Sequence, residues 1–79
     1  MTATETNLYT APKNGVFTVI SVPNIDLLEN LGVRVGASIA MQNRYALGGP
    51  VLLRVENAYS VALGKDIAQQ ITVKEVSAV

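Results

Sequence analysis

Apolar residues in this chain fall in short alternating runs separated by turn residues, a pattern that predicts several brief strands and little helix. Residues 16–22 read Val-Phe-Thr-Val-Ile-Ser-Val, rich in the β-branched and aromatic side chains that suit a pleated surface. Val16, Thr18, Ile20 and Val22 share one face, with Phe17, Val19 and Ser21 on the other. Both faces are apolar enough to predict a strand covered on both sides. Residues 37–43 alternate Ile39 and Met41 with Ser38, Ala40 and Gln42; residues 51–55 point Val51, Leu53 and Val55 inward and Leu52 and Arg54 outward. Residues 59–63 put Tyr59, Val61 and Leu63 on one face, so Tyr59 is expected in the core. A last strand over residues 71–76 turns Ile71 and Val73 inward.

The period changes once. After Pro23, Asn24 is placed to cap a short helix whose Leu27, Leu28 and Leu31 recur at the spacing of one helical face. Asp26 lies in its first turn, where the dipole favours a carboxylate, and Gly32 stands where a left-handed cap would close it. A helix this short is stable only if its leucines pack on the sheet. Residues 64–70 allow one further helical turn around Ile67 and Ala68. The turns are as legible: Pro12-Lys13-Asn14-Gly15 contains the Asn-Gly pair of tight turns, and residues 44–50 end in Gly48-Gly49-Pro50. Residues 1–7 are polar and predict a frayed tail, with Leu8 and Tyr9 the first to touch the body. The sum is a mainly β fold, a small closed barrel of about five strands with one short helix inserted after the first long strand. One domain is expected over residues 1–79.

Composition narrows the function. Cysteine and histidine are both absent, which removes disulfides, thiolate chemistry, the usual neutral-pH base and the commonest imidazole ligand. Six basic residues balance six acidic ones, so no positive field exists to capture nucleic acid or anionic lipid. Residues 1–10 hold no apolar segment of signal-peptide length, and no apolar run approaches the roughly 18 residues of a membrane span. The expectation is a cytoplasmic chain without membrane insertion. Charged residues are only 15% of the chain, below the roughly 25% of ordinary soluble domains. Part of the surface is therefore apolar, which points to a partner.

Candidate chemistry is sparse. The Gly48-Gly49 pair is followed by a strand and not by the Lys-Ser/Thr helix start of a phosphate-binding loop, so it reads as a turn. Asp26, Glu29, Glu56, Asp66 and Glu75 are scattered one or two to a segment, whereas a hard cation needs several converging oxygens. Ser21, Ser38, Ser60 and Ser77 have no histidine to activate them. No catalytic, cofactor or metal residue is assigned, and an enzyme is not expected. What remains is contact: Tyr45 and Leu47 in the turn, with Leu52 and Arg54 outward on the next strand, form an apolar patch with one cation, the composition of interface centres. A proline-peptide groove would need clustered aromatics, and Tyr9, Phe17, Tyr45 and Tyr59 are spread apart.

One succession is recognisable as a whole. Leu27-Leu28-Glu29-Asn30-Leu31-Gly32-Val33-Arg34-Val35-Gly36 is followed by Leu47-Gly48-Gly49-Pro50, then Val55, Val61-Ala62-Leu63-Gly64, Ala68 and Ile71-Thr72-Val73. In order and spacing it resembles the ferrous iron transport protein A family, FeoA. Two positions depart from the family pattern: Ile25-Asp26 and Glu29 stand where basic residues are usual, and Val35 where a proline commonly precedes the glycine. The resemblance implies an SH3-like barrel and a cytoplasmic accessory role in ferrous iron uptake. It implies contact with the ferrous iron permease, plausibly its GTP-binding domain, with no cofactor of its own. A second role it implies is a metal-responsive regulatory domain, akin to the C-terminal barrel of metal-dependent repressors. Self-association through the Leu52 face is a third expectation.

Overall fold

The computed structural model describes residues 5–76. Six strands form one antiparallel sheet: β1 (Glu5–Asn7), β2 (Val16–Ser21), β3 (Ser38–Arg44), β4 (Val51–Val55), β5 (Tyr59–Leu63) and β6 (Thr72–Glu75). A 3-10 turn, Leu8–Thr10, follows β1; α1 (Asp26–Asn30) sits between β2 and β3, and α2 (Lys65–Ala68) between β5 and β6. The spatial order is β1-β6-β2-β3-β4-β5. Among the described residues no helix is long and apolar enough to cross a membrane.

The inward face of each strand supplies a single core. Phe17 and Val19 from β2, Ile39 and Met41 from β3, Val51, Leu53 and Val55 from β4, Leu63 from β5 and Val73 from β6 are all buried. Leu8, Leu28, Val33, Ala68 and Ile71 fill the ends. Among the described residues no polar or charged residue is buried, and no buried side-chain polar atom lacks a partner. Nothing but apolar packing specifies this interior.

The fold is the mainly β one expected, with several differences. Residues 5–7 are a strand paired to β6 with Glu5 opposite Lys74 and Asn7 opposite Thr72, not a tail; residues 1–4 lie outside the described residues. Their polarity misleads because β1 is a short edge strand that buries little itself, while the residue after it, Leu8, is fully buried. The sheet has six strands for that reason. Its ladder is also open, since β1 and β5 end it without pairing to each other.

Strand β2 is fully covered on one side, where Phe17 and Val19 are 1% exposed, and only partly on the other, where Thr18 and Ile20 are half-buried and Val16 is 46% exposed. Helix α1 starts after Ile25, without a side-chain cap from Asn24. Of its leucines Leu28 is buried, Leu31 half-buried and Leu27 52% exposed. Leu27 stands about 100° round the helix from Leu28 and falls outside the side that meets the sheet. Gly32 does close α1 with φ +82°.

Because Leu53 is fully buried at the centre of β4, Leu53→Ala should cost about 2–5 kcal/mol. Urea unfolding would show this as a lower midpoint with an unchanged slope, while Leu27→Ala should move the midpoint by less than about 1 kcal/mol.

Candidate contact surface

Residues 45–50 connect β3 to β4, and their geometry follows from two backbone constraints. The Tyr45 N–H donates to the Pro50 carbonyl at 3.0 Å and the Gly49 N–H to the Ala46 carbonyl at 3.2 Å, which draws the loop tight. A side chain on Gly49 would put its Cβ 2.9 Å from Cβ of Tyr45 and 3.2 Å from the Ala46 oxygen, too close for any residue but glycine. The left-handed positions, however, are Leu47 (φ 62°) and Gly48 (φ 75°). The paired glycines mark the turn correctly, yet one of its strained angles falls on a leucine. That leucine is fully exposed, and Tyr45 beside it is 46% exposed.

The loop is pinned from the far end of the sheet. The Tyr9 hydroxyl donates to the Gly49 carbonyl at 3.1 Å. The Arg44 guanidinium reaches back through Nη1 to the carbonyls of Tyr9 (3.1 Å) and Ala11 (2.9 Å). Lys65 Nζ lies 5.7 Å above the Tyr9 ring, within cation–π range. A hollow of about 480 Å³ lined by Gly48, Gly64, Lys65, Asp66 and Ile67 opens between this loop and α2. From the sequence Tyr9 is read only as one of the first residues to touch the body, and neither Arg44 nor Lys65 is given a role. The separation of 40 residues between Tyr9 and Gly49 leaves no local signal to read.

The other expected contact residues lie along β4. Leu52 and Arg54 face outward and are half-buried; Leu52 stands between Asn43 and Ala62, Arg54 between Ala40 and Ser60. A register shift in β3 between Met41 and Asn43 bends the sheet beside Leu52. The Arg54 side chain leans away from the loop, with Nε 3.4 Å from Oδ1 of Asn57 and Nη2 3.4 Å from the Asn57 carbonyl. Tyr45 and Leu47 are thus together at one end, and Arg54 is turned toward the other.

Tyr59, expected in the core, is 44% exposed. Its hydroxyl donates to the Leu31 carbonyl at 2.6 Å and so ties β5 to the end of α1. Strand alternation puts the ring on the inner side, but at the end of an edge strand there is no opposite strand to cover it. Among the described residues no three carboxylates converge. A second cleft of about 280 Å³ beside α1 is lined mainly by Val22, Ile25, Leu28 and Val33, with Asp26, Glu29 and Arg34 at hand.

Fold and surface together define a small antiparallel β module with a helical insert, carrying an exposed apolar turn and, among the described residues, no group of carboxylates placed to hold a metal ion. The FeoA domain model matches residues 6–75, and the chain belongs to the FeoA domain family. Solved structures agree on the SH3-like fold. The iron uptake regulatory protein FeoA superposes with a TM-score of 0.83 at 22% identity, covering 92% of this chain and 99% of that one. The FeoA-like protein from Clostridium acetobutylicum gives a TM-score of 0.77 at 22% identity, over 100% and 93%. A manganese-dependent transcriptional repressor gives 0.83 at 18% identity, over 96% of this chain but only 44% of the repressor. No curated protein sequence matches the chain.

The Tyr59–α1 tie is testable by a double-mutant cycle. Gly32→Ala places a Cβ against the Tyr59 hydroxyl at a positive φ and should cost about 1–3 kcal/mol. Tyr59→Phe alone should cost about 1 kcal/mol. Since it removes the colliding atom, the double variant should be less destabilised than the sum in thermal or urea unfolding.

Proposed function

We propose that the protein is a cytoplasmic accessory factor of ferrous iron uptake that docks on the GTP-binding domain of the ferrous iron permease. The contact surface is Tyr45 and Leu47 on the β3–β4 turn with Leu52 and Arg54 along β4. Membership of the FeoA domain family supports the iron context, as does the likeness to a solved protein described as an iron uptake regulator. The observation that carries the surface is Leu47. A large apolar residue is held out to solvent at φ 62°, where both exposure and backbone strain of about 1–2 kcal/mol oppose it. Neither serves stability, and both are explained if the side chain enters a partner's pocket. Tyr45 adds an aromatic anchor next to it, and Arg54 a cation at the far end. The factor acts by preferring one state of the permease and shifting its population.

A metal-responsive domain is the second reading, favoured by the likeness to the manganese-dependent repressor. The scattered carboxylates give it less support than the exposed turn gives docking.

Isotope-labelled protein titrated with the soluble GTP-binding domain should show amide shifts concentrated at residues 44–54. No shift at high concentration overturns docking there. Leu47→Asn, which suits a left-handed angle better, should raise folding stability by about 0.5–1 kcal/mol while weakening the titration at least tenfold. Equal affinity with the higher stability would leave the strained leucine without a role.

A further inference from the structure

The two ends of the open ladder are built differently. Strand β1 is three residues long and carries Glu5. Strand β5, Tyr-Ser-Val-Ala-Leu, is five residues long and has no charge, proline or glycine. Its register with β4 runs from Val55 opposite Tyr59 to Val51 opposite Leu63 without a shift, whereas the β2–β6 and β3–β4 ladders each contain one. Natural sheets blunt exposed edges with lysines, prolines, bulges or very short strands. None of these devices is present in β5. Its outer edge makes no backbone hydrogen bond among the described residues.

The charges on β4 and on the β4–β5 turn are also turned away from this edge. Glu56 folds back so that Oε2 accepts from the Ser38 N–H at 3.0 Å, and the Arg54 guanidinium is held by Asn57. Ser60 donates to Oε1 of Gln42 at 2.8 Å, so its hydroxyl already has a partner across the sheet. What is left is a neutral strip whose unmet groups are backbone N–H and C=O.

The geometry points to β5 as a self-pairing edge, through which a second copy of this chain binds antiparallel about a two-fold axis. An antiparallel pair presents each strand's donors to the other's acceptors, so any edge strand is complementary to its own copy under a two-fold operation. With the axis at Val61, Ser60 faces Ala62 of the partner subunit. Both side chains are small and exposed, and no like charges oppose one another. This neutrality favours a second copy over an acidic or basic strand of another protein, which would find no opposite charge here. The paired strands are short, so the interface falls below the roughly 1,600 Å² of standard complexes and the dimer is a weak one. The pairing is independent of the permease reading, because it uses a different edge from the 45–50 turn.

Sedimentation equilibrium of the wild-type chain from about 10 µM to about 1 mM should show the average mass rising from one chain toward two. Ala62→Lys, at an exposed position, installs the missing edge charge and should weaken association at least tenfold. Its amide spectrum should otherwise remain that of the folded protein, and Leu47→Asn should associate as wild type does. In a mixed-labelled sample at high concentration, contacts should appear between Val61 of the two copies. A single-chain mass throughout the range overturns the inference. So does association lost with Leu52→Lys but kept with Ala62→Lys, which assigns it to the outer face of β4. Shifts at residues 59–63 seen only on adding the permease domain would give the edge to a partner's strand instead.

Discussion

Everything in this molecule depends on one thin apolar interior to which all the longer strands contribute alternate residues. Strand β4 is its axis, with Val51, Leu53 and Val55 fully buried between the inward residues of β3 and β5. A chain of this size buries only about 60% of its unfolded surface. There is no disulfide to assist, since the sequence has no cysteine. Strand alternation in such a body leaves no slack, because a one-residue slip would exchange the buried and exposed faces.

The same economy explains how the curl of the open sheet is held. A six-stranded sheet that curls around one core brings its first residues close to the β3–β4 turn, and the bond between the Tyr9 hydroxyl and Gly49 together with the Arg44 contacts closes that seam. At the other end the Tyr59 hydroxyl reaches Leu31 and fixes α1 over the sheet. These are side-chain bonds at the surface, each modest in net free energy, and they position the loop carrying Leu47 without entering the core.

Two surfaces then stand out for physical reasons that differ. The turn at residues 45–50 displays a leucine against both hydration and backbone preference. The β5 edge displays a neutral row of backbone groups. One invites side-chain burial, the other ladder extension, and a single small protein has room for both.

Much of this was legible in the chain. Alternation placed β2 to β6 within a residue or two, turned Val51, Leu53, Val55, Ile71 and Val73 inward, and located Gly32 as the helix stop, because period and glycine chemistry are local properties. Tyr45 and Leu47 could be named as exposed turn residues for the same reason. The strand at residues 5–7, the burial of Leu28 in place of Leu27, the exposure of Tyr59 and the reach of Tyr9 and Arg44 were decided only by tertiary structure. Each depends on which element lies opposite across tens of residues. A pattern of side chains can tell which face is apolar, but only the assembled sheet determines whether anything is there to cover it.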